Sequence, residues 1–117
     1  MNTKELIEKI QLEVIETDLS PLRAGELLAQ LSSLLGNVTE ALATVEMAYN
    51  IKMAEILKEN PVVAKARIIA QTTKEYENLL RIGGYERTVL EMIRSLKYLI
   101  KIKMEEYREI KYDNSHS

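Results

Sequence analysis

The chain has 117 residues, 46 % of them hydrophobic, with no Cys, Trp or Phe and a single His at position 116. That length suits one domain with a modest core. The missing Cys excludes disulfide frameworks and thiolate zinc sites, and one His beside the chain end excludes Ser-His-Asp hydrolysis, histidine metal sites and the carboxylate–histidine sets of di-iron bundles.

The formal charge of −2 divides unevenly. Residues 1–60 hold five Lys/Arg against ten Asp/Glu, residues 61–104 nine against four, and the last thirteen two against four. An acidic first half thus precedes a basic stretch suited to an anionic partner.

Residues 3–17 read as a short amphipathic helix, with Leu6, Ile10 and Val14 on one face and Ile7 and Ile15 beside them. Ser20-Pro21 is a helix start, Ser as the cap and Pro in the first turn, where its missing N–H costs nothing. Leu28, Leu31, Leu35, Val38, Leu42, Val45 and Tyr49 then alternate spacings of three and four through Gly36-Asn37 without losing phase. The spacing predicts one helix over 21–58. Asn60-Pro61 repeats the stop-and-start signal, and Val62, Ala66, Ile69, Tyr76 and Leu80 form the stripe of a helix over 61–82. Within it, Thr72 and Glu75 have capping-box spacing, which marks a place for a local break. Gly83-Gly84 carries about 2 kcal/mol of helix penalty and is the expected interruption. A last helix over 85–112 follows, striped by Val89, Ile93, Leu96, Ile100, Tyr107 and Ile110, with a frayed tail at 113–117.

The expected fold is therefore all-α: a single domain, an elongated helical hairpin or bundle of about four helices with coiled-coil-like packing. The long second helix has more apolar seam than its partners cover, which predicts a homo-oligomer. No apolar run of signal-peptide or membrane-span type occurs, so the expectation is a cytoplasmic protein with no membrane partner.

Few motifs carry chemistry. Gly83-Gly84 lacks the Lys-Ser/Thr of a phosphate loop. Glu105, Glu106 and Glu109 have the E-E-x-x-E spacing with which helical pyrophosphohydrolases hold Mg²⁺, but the companion E-x-x-D is missing. A helix-turn-helix drawn over 31–45 would offer TEALATVEM as its reading helix, which has no Arg, Lys, Asn or Gln for a base edge. No catalytic residue, metal site or cofactor is expected.

Cations are the exception. Arg87, Arg94, Lys101 and Arg108 recur every seven residues, as do Arg67, Lys74 and Arg81. Glu91 lies four residues after Arg87, and Glu105 four after Lys101, which predicts a solvated intrahelical salt-bridge ladder for much of the row. Arg94, Lys97, Tyr98 and Lys101 fall at i, i+3, i+4 and i+7 with no acid among them. Three cations around an aromatic ring suit a phosphate and a stacked base. Arg67, Lys74 and Arg81 are candidates to complete a pocket with them. Lys103 occupies an apolar position of the stripe, where its stem would snorkel.

The stretches AEILKENPVVAKARIIAQTTKEYENLL and YERTVLEMIRSLKYLIKIKMEEYR resemble small all-helical proteins of phages and prophages. The resemblance covers the second half of the chain and implies an accessory role: aiding phage replication or recombination, or countering a host defence from the host cytoplasm. Some phage anti-defence proteins are helical oligomers that sequester nucleotide signals. The functional expectation is a non-enzymatic oligomer that binds a nucleotide or nucleic acid through its basic half. The alternative is an adaptor or inhibitor that docks an exposed apolar seam on a host protein.

Overall fold

The computed structural model describes residues 1–116, and the side chains of 1–111. Among the described residues the fold is an all-α helical bundle of four helices: α1 (Thr3–Glu16), α2 (Pro21–Glu59), α3 (Val63–Ala70) and α4 (Lys74–His116). No strand occurs among the described residues. The chain divides into two compact units, one made of Met1–Leu34 with Thr88–Ser117 and the other of Leu35–Arg87. Both α2 and α4 contribute residues to each unit.

In the first unit, Asn2 caps α1: its Oδ1 accepts the Glu5 N–H at 2.8 Å, and its amide donates to the Glu5 carboxylate. Ser20 caps α2, its hydroxyl accepting the Arg23 N–H at 3.1 Å, with Pro21 in the first turn. Ile7, Ile10, Leu19, Ala24, Leu27, Leu31, Leu34, Val89, Ile93 and Leu96 are buried. On α2 the buried line runs through 24, 27, 31 and 34 and, in the second unit, 38; Leu28 and Leu35 lie beside that line and are half-buried. Ile15, expected beside the core face of α1, is exposed, since at 100° per residue it lies about 140° round from Ile10.

Arg23 ties α1 to α2. Its guanidinium donates to both Glu13 carboxylate oxygens, at 2.6 and 2.8 Å, and to Glu26 at 3.1 Å. That fork-to-carboxylate geometry holds the Glu13 carboxyl below its ordinary value of 4.5 and raises the Arg23 guanidinium. The unfolded Glu13 titrates at its ordinary value and the folded one lower. The stabilisation is therefore complete above 4.5 and is lost as pH falls through the depressed folded value. Glu13→Gln should consequently be less stable than wild type at neutral pH, with a gap that shrinks on acidification to about pH 3. Urea midpoints of both proteins across that range check it; a constant gap would mean that the pair does not form.

In the second unit, Ile56, Ala66 and Ala70 are buried together, with Tyr49, Met53 and Leu57 packed against them. The Tyr49 and Tyr76 rings lie 5.8 Å apart in a tilted arrangement. α2 is continuous through Gly36 and stops at Glu59, where Pro61 disfavours helical backbone for the residue before it.

The helix expected over 61–82 is broken beside the place that Thr72 and Glu75 mark, and the break expected at Gly83-Gly84 is absent. α3 ends at Ala70 because two threonine hydroxyls take its last carbonyls: Thr72 donates to the Ile69 oxygen at 2.7 Å and Thr73 to the Ala70 oxygen at 2.6 Å. Thr73 then caps α4, its hydroxyl accepting the Tyr76 N–H at 3.3 Å. The cap lies one residue beyond Thr72, and Tyr76 takes the place of the capping-box acid. Val62 and Leu80 are exposed, while Leu79 is half-buried. With Leu79 in place of Leu80 the stripe runs 76, 79, 82–83, 86, 89, 93 and 96, so no phase shift separates the residues on either side of the glycines. Neither glycine has positive φ. Toward its end α4 leaves Tyr107 and Ile110 exposed. It continues to His116, since no Gly or Pro follows Ile110; Ser117 of the expected tail lies outside the described residues.

Candidate functional site

At about 100° per residue, Val89, Ile93 and Leu96 line one side of α4, and Arg94, Lys97, Tyr98 and Lys101 form a face centred about 120° round from it, with Lys97 at the edge nearer the core. All four are exposed, Tyr98 to 66 %. Among the described residues Arg94, Lys97 and Lys101 have no ion-pair or hydrogen-bond partner. All four belong to the unit that contains Thr88–Ser117.

The expected ladder does not form: among the described residues no ion pair links Arg87 to Glu91 or Lys101 to Glu105. A cation placed before the acid is the weaker orientation of an i, i+4 pair. Arg87 instead folds back over the bare backbone of Gly83 and Gly84, its guanidinium 3.8 and 3.9 Å from where their Cβ atoms would sit.

Arg67, Lys74 and Arg81 belong to the other unit. The turn at 71–73 divides them, leaving Arg67 on α3 and the other two on α4, so they do not form one row. All three are exposed, and Arg81 donates to the Asn78 side chain at 3.0 Å. Lys103 is bound rather than snorkelling, its ammonium donating to the Asp18 carboxylate in the α1–α2 turn. The sequence signal for this was a cation at a stripe position; Asp18, far away in the chain, carried none.

Glu105, Glu106 and Glu109 are exposed, and no group of three acidic or imidazole side chains among the described residues is gathered to hold a metal. No polar or charged side chain is buried among the described residues. Among them, too, no helix is long and apolar enough to cross a membrane. The α4 face therefore offers two kinds of contact, charge-assisted hydrogen bonds from three cations and an aromatic ring for stacking.

No family model matches the chain, no curated protein matches it, and no solved structure matches it.

Proposed function

We propose that this protein is a non-enzymatic helical binding protein that takes single-stranded nucleic acid along the exposed face of α4. Arg94, Lys97 and Lys101 hold backbone phosphates, and a base stacks on Tyr98. The observation that carries the reading is an exposed tyrosine among three cations without an acid partner, on an open helix side. An enclosed nucleotide needs walls around it; a phosphate backbone needs only a charged surface to follow.

Fluorescence anisotropy with a labelled single-stranded oligonucleotide, titrated at several salt concentrations, tests it. Three phosphate contacts give a log–log salt slope of about −2 for a single strand. The triple variant Arg94→Gln, Lys97→Gln, Lys101→Gln should flatten that slope and lose most of the affinity. Tyr98→Ala should weaken single-strand binding by about tenfold with the slope retained. These side chains are exposed, so helicity by circular dichroism should not change. Equal binding by wild type and the triple variant would sink the proposal. Displacement by a mononucleotide with little salt dependence would move the reading to a small-nucleotide sequestering protein.

A further inference from the structure

In the unit of Leu35–Arg87, α2 has a second apolar row on the side turned away from Tyr49, Met53 and Ile56. Ala43, Met47, Ile51 and Ala54 are all exposed, Met47 to 67 % and Ile51 to 57 %. With Glu46 and Asn50 they line a shallow open hollow. Helix surfaces bathed in water carry polar residues at such positions, and a run of aligned exposed apolar side chains marks a contact surface.

The ends of the row say what covers it. Glu40 and Lys58 are eighteen residues apart, five turns at 3.6 residues per turn, so they lie on one line of the helix about 27 Å apart. That line passes within about 20° of Met47 at 100° per residue. Both side chains are exposed, and among the described residues neither has a partner, whereas Lys52 nearby pairs with Glu55 at 3.8 Å.

The arrangement is symmetric. Glu40 and Lys58 share their midpoint, residue 49, with Met47 and Ile51, and Ala43 and Ala54 are centred half a residue away. A second α2 laid antiparallel about that midpoint sets each Glu40 against a Lys58, each Met47 against an Ile51, and the alanines against each other. The small Ala43 and Ala54 allow the close axial approach of packed helices. Parallel pairing would set Glu40 on Glu40 and Lys58 on Lys58, two like-charge contacts. The row is thus complementary to its own reverse, which is the requirement of an isologous two-fold interface.

We propose that the chain forms a two-fold dimer by antiparallel pairing of the 40–58 segment of α2 with that of a second copy. This does not depend on what the α4 face binds.

Sedimentation velocity of the full chain over about 1–100 µM tests it, a range in which an interface of micromolar affinity is largely occupied at the top. Wild type should sediment as a dimer at high concentration. Met47→Glu with Ile51→Glu should be monomeric throughout, with unchanged helicity. Glu40→Lys alone opposes like charges twice per dimer and should weaken association by about tenfold. Adding Lys58→Glu to it should restore the wild-type constant. The reciprocal exchange is the decisive arm, since only antiparallel self-pairing predicts that the two changes cancel. A wild-type protein monomeric across the range overturns the proposal and leaves the row to a foreign helix. So does a dimer that survives Met47→Glu with Ile51→Glu, or a double charge exchange that fails to restore association.

Discussion

Truncating Leu31 to alanine should be the most damaging single change, lowering stability by about 3 kcal/mol. Leu31 lies midway along the buried line of α2, is 0 % exposed, and is one of the largest fully buried side chains with Leu27, Leu96 and Val89. Removing it forfeits the transfer energy of the lost carbons and leaves a cavity that long neighbouring helices cannot collapse into. A domain of this size has roughly 5–15 kcal/mol in total, so the urea midpoint should fall by a large fraction with the slope unchanged. Leu22→Ala, in the first turn of the same helix at a position 75 % exposed, is the control and should cost less than about 0.5 kcal/mol. If the two variants lose equal stability, the face of α2 that meets the core is not the one described.

Converting both Gly83 and Gly84 to alanine should stabilise the protein by about 2 kcal/mol. Each glycine lies inside α4 with ordinary helical φ. A Cβ at either position meets nothing nearer than the Arg87 guanidinium, at 3.8 and 3.9 Å, an ordinary van der Waals separation. The alanines therefore remove backbone freedom from the unfolded chain without crowding the folded one. Thermal unfolding followed by circular dichroism should show a rise of several degrees. A fall would place a turn at the glycines, where one of them would need the left-handed conformation that alanine resists.

These two residues also show where sequence reading reached its limit. Helix class was legible because the spacings of three and four are local, and the Ser20-Pro21 start was legible because capping acts over three residues. The break between α3 and α4 turned on which hydroxyl wins. Thr72 and Thr73 are neighbours with the same chemistry, and only the observed geometry gives the cap to Thr73. The glycine pair reads as a break on its helix penalty alone, and placing Leu80 rather than Leu79 on the stripe, which rotates the apparent face by about 100°, conceals the continuous apolar side that carries α4 through it.

The candidate site divides in the same way. That Arg94, Lys97, Tyr98 and Lys101 share a face follows from helical spacing alone. The separation of Arg67 from Lys74 and Arg81 did not, since it depends on the threonine turn. The direction taken by Arg87 was hidden too, because Glu91 and the turn of Gly83 and Gly84 both lie within reach of its long side chain, and spacing alone does not choose between them.

The unit built from Met1–Leu34 and Thr88–Ser117 is discontinuous in the chain, and Leu35–Arg87 lies between its two segments in the sequence as a contiguous block. A chain synthesised from its amino end presents α1 and the first part of α2 long before the residues that bury their apolar sides. The contiguous block can settle first, because its contacts span shorter loops and cost less closure entropy. Until the carboxyl-terminal segment is made, the first unit lacks part of its chain, and the nascent amino-terminal hairpin is open to chaperones, proteases and wrong partners.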